Sequence, residues 1–179
     1  MQKLTARRWT IPLLAELGLT DGAKFVSLTF RLGCTQPALR ASLDHAIALG
    51  LCRPNPGYGH PMRPEYVLTE FGKLVAPAAL ELWDLARERG WTGSLFRKWS
   101  PQTVLWVARG NQGFALLRDA MPATDRALSM TLKVLVADGV LARTVVEDYP
   151  PRTLYGLTPD AERLIAPLEA LDDLALGLG

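Results

Sequence analysis

The strongest constraint on this chain is a pattern that it states twice. Phe25, Thr35, Leu39, Leu43, Ala48, Gly50, Tyr66, Leu68 and Thr69 recur 89 residues later as Phe114, Thr124, Leu128, Leu132, Ala137, Gly139, Tyr155, Leu157 and Thr158. Just upstream, Arg8-Trp9 pairs with Lys98-Trp99 at an offset of 90, so the copies differ by one residue in the segment between. One register held through so many positions of structural weight predicts an internal duplication. The 179 residues then divide into two units, 1–90 and 91–179. Each is near the small end of independent stability, so each is expected to lean on the other.

The second copy reads clearly along its length. Ser100-Pro101 predicts a helix start, with Ser100 as N-cap and Pro101 in the first helical position, and the helix runs to about Arg109. Gly110-Asn111-Gln112-Gly113 supplies a turn. Phe114, Leu117 and Met121 then keep helical spacing until Pro122. Thr124 caps a third helix whose stripe is Leu128, Leu132, Leu135 and Val136, while Arg126, Ser129 and Lys133 fall away from it. After Gly139 the pattern turns extended over 140–146 and again over 152–157, interrupted by Tyr149-Pro150-Pro151, and from Pro159 helical spacing resumes. The first copy follows the same order, with helices from about Thr10, around Val26 to Leu32 and from Gln36 to Leu49, a hairpin ending at Leu68, and a long helix from Glu70 to about Arg89. Helix, helix, helix, hairpin, helix describes a mainly α chain with small β-hairpins, an α+β fold of two tandem winged helix-turn-helix units.

Composition sets outer bounds. With 49% hydrophobic residues and five tryptophans, there is material for ordered cores. The basic start, Met1 to Arg8, has no long apolar run behind it, and no stretch reaches the roughly 18 to 20 apolar residues of a membrane span. A cytoplasmic protein is the expectation. The formal charge of +2 divides unevenly: 11 basic and 8 acidic residues in 1–90 against 9 and 10 in 91–179. Such a balance permits nucleic-acid binding through local clusters without demanding it. No P-loop, HExxH or Gly-x-Ser-x-Gly elbow is present, and Gly110-x-x-Gly113 is too short to cradle a phosphate, so neither an enzyme nor a cofactor is expected.

In the second copy, Lys98-Trp99, Phe114 with Leu117, the Leu128/Leu132/Leu135 stripe, Asp138-Gly139-Val140 and the wing string Pro150-Pro151-Arg152-x-x-Tyr155-x-Leu157-Thr158 together resemble the HxlR-type winged helix-turn-helix family of bacterial transcriptional regulators. The first copy is similar through Arg8-Trp9, Phe25, Gly50-Leu51 and Tyr66-Val67-Leu68-Thr69. Family members resemble one another in being single units that dimerise through terminal helices and bind two half-sites. The resemblance therefore implies a covalent pseudo-dimer, with Leu80, Leu82, Trp83 and Leu85 of the 70–89 helix supplying buried surface. Its unlike recognition helices would read an operator that need not be palindromic. The third helix of the first copy departs from the pattern, carrying Asp44 at the position of Lys133 and Pro37 at that of Arg126.

The expected partner is double-stranded DNA. An α-helix fits the major groove, where arginine and lysine bond guanine edges and Ser, Thr and Gln reach bases or phosphates. The candidates are Thr35, Gln36 and Arg40 on one third helix, and Thr124, Arg126, Ser129 and Lys133 on the other. Arg53 and Arg63 in the first wing and Arg143 and Arg152 in the second, with Arg152 preferred, are candidates for backbone or minor-groove contact. The absence of an activation segment favours repression by promoter occlusion. The rival class is a protein-interaction module, since tandem winged helices resemble the kleisin-associated subunits of chromosome condensation complexes. A homodimer of pseudo-dimers is also compatible with the sequence. Cys34, His45, Cys52 and His60 match no zinc module, so no metal is expected, and Cys34 beside a helix start is a candidate redox thiol weighed against a buried structural one.

Overall fold

The computed structural model describes residues 1–20, 22–57 and 64–178. Its first half contains α1 (Thr10–Gly18), β1 (Ala23–Lys24), α2 (Phe25–Leu32), α3 (Gln36–Ala48), β2 (Cys52–Pro54) and β3 (Glu65–Leu68), and α4 (Glu70–Glu88) leads out of it. Past a 3-10 turn at Trp91–Gly93 come α5 (Ser100–Ala108), α6 (Phe114–Ala120), α7 (Asp125–Ala137), β4 (Leu141–Val146) and β5 (Arg152–Leu157). A second 3-10 turn at Ala161–Leu164 leads into α8 (Ile165–Leu176). The bounds of α3 and α7 lie 89 residues apart at both ends, and those of α1 and α5 lie 90 apart.

The same local chemistry sets α3 and α7. The side-chain oxygens of Thr35 and Thr124 accept from the amides of Ala38 at 3.4 Å and Ala127 at 3.2 Å, satisfying a helix-end N–H that has no intrahelical partner. At the far ends Gly50 and Gly139 take left-handed φ values of 69° and 72°, which a side chain would resist. That reversal lets the amides of Leu51 and Val140 reach back 2.9 Å to the carbonyls of Ala46 and Leu135. The returning strands are tied to the same place: the Thr69 hydroxyl donates to the Gly50 carbonyl, and that of Thr158 to the Gly139 carbonyl at 2.8 Å. Each hairpin is thereby held against the end of its third helix.

The first sheet has three antiparallel strands in the order β1-β3-β2, with Ala23 opposite Tyr66 and Cys52 opposite Leu68. The second is the β4–β5 hairpin, with Leu141 opposite Leu157 and Val146 opposite Arg152. Two sequence expectations need correction. β1 is an additional strand, too short at two residues to leave a periodic signal. Ser100 is the first helical residue rather than the cap: Trp99 holds the cap position, and the buried Ser100 hydroxyl has no hydrogen-bond partner among the described residues.

One contiguous apolar core runs through both halves, from Leu28, Leu39 and Leu43 to Leu117, Leu128, Leu132 and Leu135. Helix α4 joins them by packing on α1 and α8. Of its four residues expected to supply buried surface, Leu82, Trp83 and Leu85 are buried and Leu80 is half-buried. Trp83 meets Trp9 edge-on at 6.5 Å and donates its indole N–H to the buried Glu16 carboxylate at 3.2 Å. Polar links also cross between the halves: Arg89 with Asp160 at 2.6 Å, Arg163 with Glu88 at 3.3 Å, and the buried Gln102 amide with the Thr5 hydroxyl at 2.9 Å. No helix among the described residues is long and apolar enough to cross a membrane.

Candidate nucleic-acid interface

Helix α7 buries Leu128, Thr131, Leu132 and Leu135, which turns its opposite face outward by helical geometry. On that face Arg126, Ser129 and Lys133 are all exposed, at spacings of three and four residues that align them along one line of the helix. Arg126 and Lys133 form no salt bridge among the described residues, so their charges are free to meet an anion. Thr124 is also exposed, but its side-chain oxygen is engaged as the cap.

The β4–β5 hairpin stands beside this face. Together they form a groove of about 280 Å³ lined by Ser129, Leu132, Lys133, Val136, Arg143 and Tyr155. Arg143 donates to the Thr153 hydroxyl at 3.4 Å across the hairpin. Arg152 lies elsewhere. It lines a separate groove with Gln112, Phe114 and Leu116, where β5 approaches the start of α6 through a bridge between Gly113 and Leu154. It is also engaged by Asp148, which accepts from its Nε at 2.8 Å. Of the two wing arginines, Arg143 is thus the one next to the third helix, although the sequence alone favoured Arg152.

Thr35, at the cap of α3, and Gln36 and Arg40 on the helix are exposed. The Arg40 side chain folds back on its own unit: its guanidinium lies 4.5 Å from the centroid of the Phe25 ring, and Nη1 donates to the Tyr66 hydroxyl at 3.1 Å. Cation–π contact and hydrogen bond together hold it in one place. In the first wing Arg53 is exposed on β2, while Arg63 and His60 lie outside the described residues. Tyr155 is the lining residue that sequence reasoning passed over. In the sequence it marks the repeat and belongs to the wing string, and its pairing with Tyr66 at the same offset puts both rings on the strand that returns past the third helix.

Both cysteine thiols are shifted away from the thiolate. Burial pushes the Cys52 thiol up to about 12, and it raises that of Cys34 as well, outweighing a backbone hydrogen bond that favours the thiolate. The expectation that a helix start would activate Cys34 is therefore overridden by desolvation. His45 uses Nε2 to donate to the Lys3 carbonyl at 2.7 Å, and among the described residues no cluster of histidine, cysteine and acidic side chains could hold a metal ion.

Comparison with known proteins places this arrangement. A family model described as HxlR-like helix-turn-helix matches residues 95–177, the stretch that contains α5 to α8. A curated relative, the uncharacterized HTH-type transcriptional regulator YvaP of Bacillus subtilis (strain 168), is 35% identical over 75 residues, covering 41% of this chain and 68% of the relative. No solved structure matches the chain significantly.

Proposed function

This chain belongs to the HxlR-like helix-turn-helix family and, with it, to the DNA-binding transcriptional regulators; we propose that it acts as a sequence-specific repressor in which two winged helix-turn-helix units, 1–90 and 91–179, are fused as a pseudo-dimer. The observation that carries the reading is the outer face of α7, where Arg126, Ser129 and Lys133 line up exposed beside the hairpin that bears Arg143. A helix so furnished can enter the major groove, with arginine and lysine toward guanine edges and the hydroxyl toward base or phosphate. Matching helix bounds and Thr caps support the same role for α3, through Thr35 and Gln36, with Arg40 and Arg53 adding positive charge to that side; Arg63 of the first wing is proposed from the sequence alone. Because α3 and α7 differ in sequence, the two half-sites differ as well. Occlusion of a promoter by the bound protein is the simplest route to repression.

The test is selection of fragments from sheared genomic DNA by the purified protein, followed by sequencing. A recurrent motif with two unlike halves is the expected result, and Arg126→Ala should weaken binding to it by about 1–3 kcal/mol. No enrichment at low salt would overturn the reading. The rival role, a protein-interaction module, is favoured by one observation: Val26 and Phe30, one turn apart on α2, are 72% and 88% exposed. Its signature is partner binding that survives high salt, whereas DNA binding falls steeply with it.

A further inference from the structure

We propose that the groove between α7 and the β4–β5 hairpin seats a backbone phosphate of double-stranded DNA, and that the described residues of the first half do not build its counterpart. The inference rests on the DNA-binding reading above. A helix in the major groove and a hairpin on the flanking minor groove are separated by the sugar-phosphate strand that divides the two grooves, so this strand must pass between them. In the second half that passage is open, about 280 Å³ in volume, floored by Leu132 and Val136. Lys133 and Arg143 line it with positive charge, and the hydroxyl-bearing Ser129 and Tyr155 line it as well. Two cations and neutral donors converging on one concave place match a phosphodiester, which offers acceptors only.

In the first half the positions that line this groove are filled differently. Counting back 89 residues, Arg40 stands for Ser129, Asp44 for Lys133, Pro54 for Arg143 and Tyr66 for Tyr155. Arg40 bridges from α3 to Phe25 and the Tyr66 hydroxyl, a bridge that the shorter Ser129 cannot make in the second half. Of the two flanking cations, one is replaced by a carboxylate and the other by a side chain without charge or donor. The DNA strand is repelled by Asp44 and kept outside by the Arg40 bridge, so the two units grip the duplex unequally.

The test is a titration of the full chain against a fluorescein-labelled mixed-sequence duplex over a range of salt concentrations. Lys133→Ala and Arg143→Ala should each flatten the slope of log affinity against log salt by about 0.9, the loss of one phosphate contact. Arg40→Ser should change the slope by less than half as much. The decisive variant is Ser129→Arg, which adds a cation yet rebuilds the first-half bridge, now against Phe114 and Tyr155. It should weaken binding about tenfold, the loss of one charge-assisted hydrogen bond. Binding by Ser129→Arg as tight as wild type or tighter, or unchanged slopes for Lys133→Ala and Arg143→Ala, would overturn the phosphate seat and leave the regulator reading standing. Absence of salt-dependent binding by the wild-type chain would instead remove the regulator reading, and the seat with it.

Discussion

Gly72 shows how finely a single position is set. A Cβ built there would fall 1.9 Å from the Leu51 carbonyl oxygen, so only a hydrogen fits where α4 crosses the end of the first third helix. Its counterpart 89 residues on is Ala161, which opens a 3-10 turn instead of continuing into an α-helix. Gly72→Ala should therefore destabilise the protein by about 3 kcal/mol, seen as a lower urea midpoint with an unchanged slope. A variant as stable as wild type would mean that α4 is free to move away from Leu51. Arg40 makes the complementary point: its identity was plain in the sequence, but the direction of its side chain was not. That direction is decided by Phe25, which opens α2, and by Tyr66 on a returning strand, neither of them adjacent to it in the chain.

At the scale of elements, legibility followed the strength of local signals. Helices α3 and α7 were readable at both ends because a threonine cap, an apolar stripe and a left-handed glycine all agree in each. Strand β1 was not readable, since two residues carry no period and the strand exists only because β3 is there to pair with it. Ser100 misled because Ser-Pro is a good helix opening, yet the chain is already turning at that point: the Ser100 amide donates to Arg97 at 3.0 Å. On α7, the outward placement of Arg126 and Lys133 was legible from periodicity. The preference between Arg143 and Arg152 was not, because it depends on which strand of the hairpin lies beside α7. Helix α4 carries its own internal flaw in Pro77, which is exposed, removes one helix hydrogen bond and crowds the preceding turn. Pro77→Ala should raise stability by about 1–3 kcal/mol, measured as an increase in Tm. A fall in Tm would mean that the proline ring packs against Gly18 and Leu80, with which it lines a shallow groove, more favourably than the lost helix bond costs.

For the whole molecule, the shared core decides how it comes apart. Leu4 and Thr5 of the first segment are buried, Gln102 bonds Thr5 across the halves, and α4 is covered by α1 on one side and α8 on the other. Unfolding in urea should therefore proceed as one transition, with tryptophan fluorescence and far-ultraviolet circular dichroism superimposing. Two separated transitions would show that each half holds its own stability. Helix α4 also has a consequence for behaviour in a growing cell. Regulators assembled from separate subunits lose their paired form when division thins them out, and their response to copy number is steep. In the proposed pseudo-dimer the surface that pairs the halves is threaded on one chain, so the partner's local concentration is set by the peptide itself. On that proposal, occupancy of an operator should follow copy number in simple proportion at low levels, without a threshold at which the reader falls into halves.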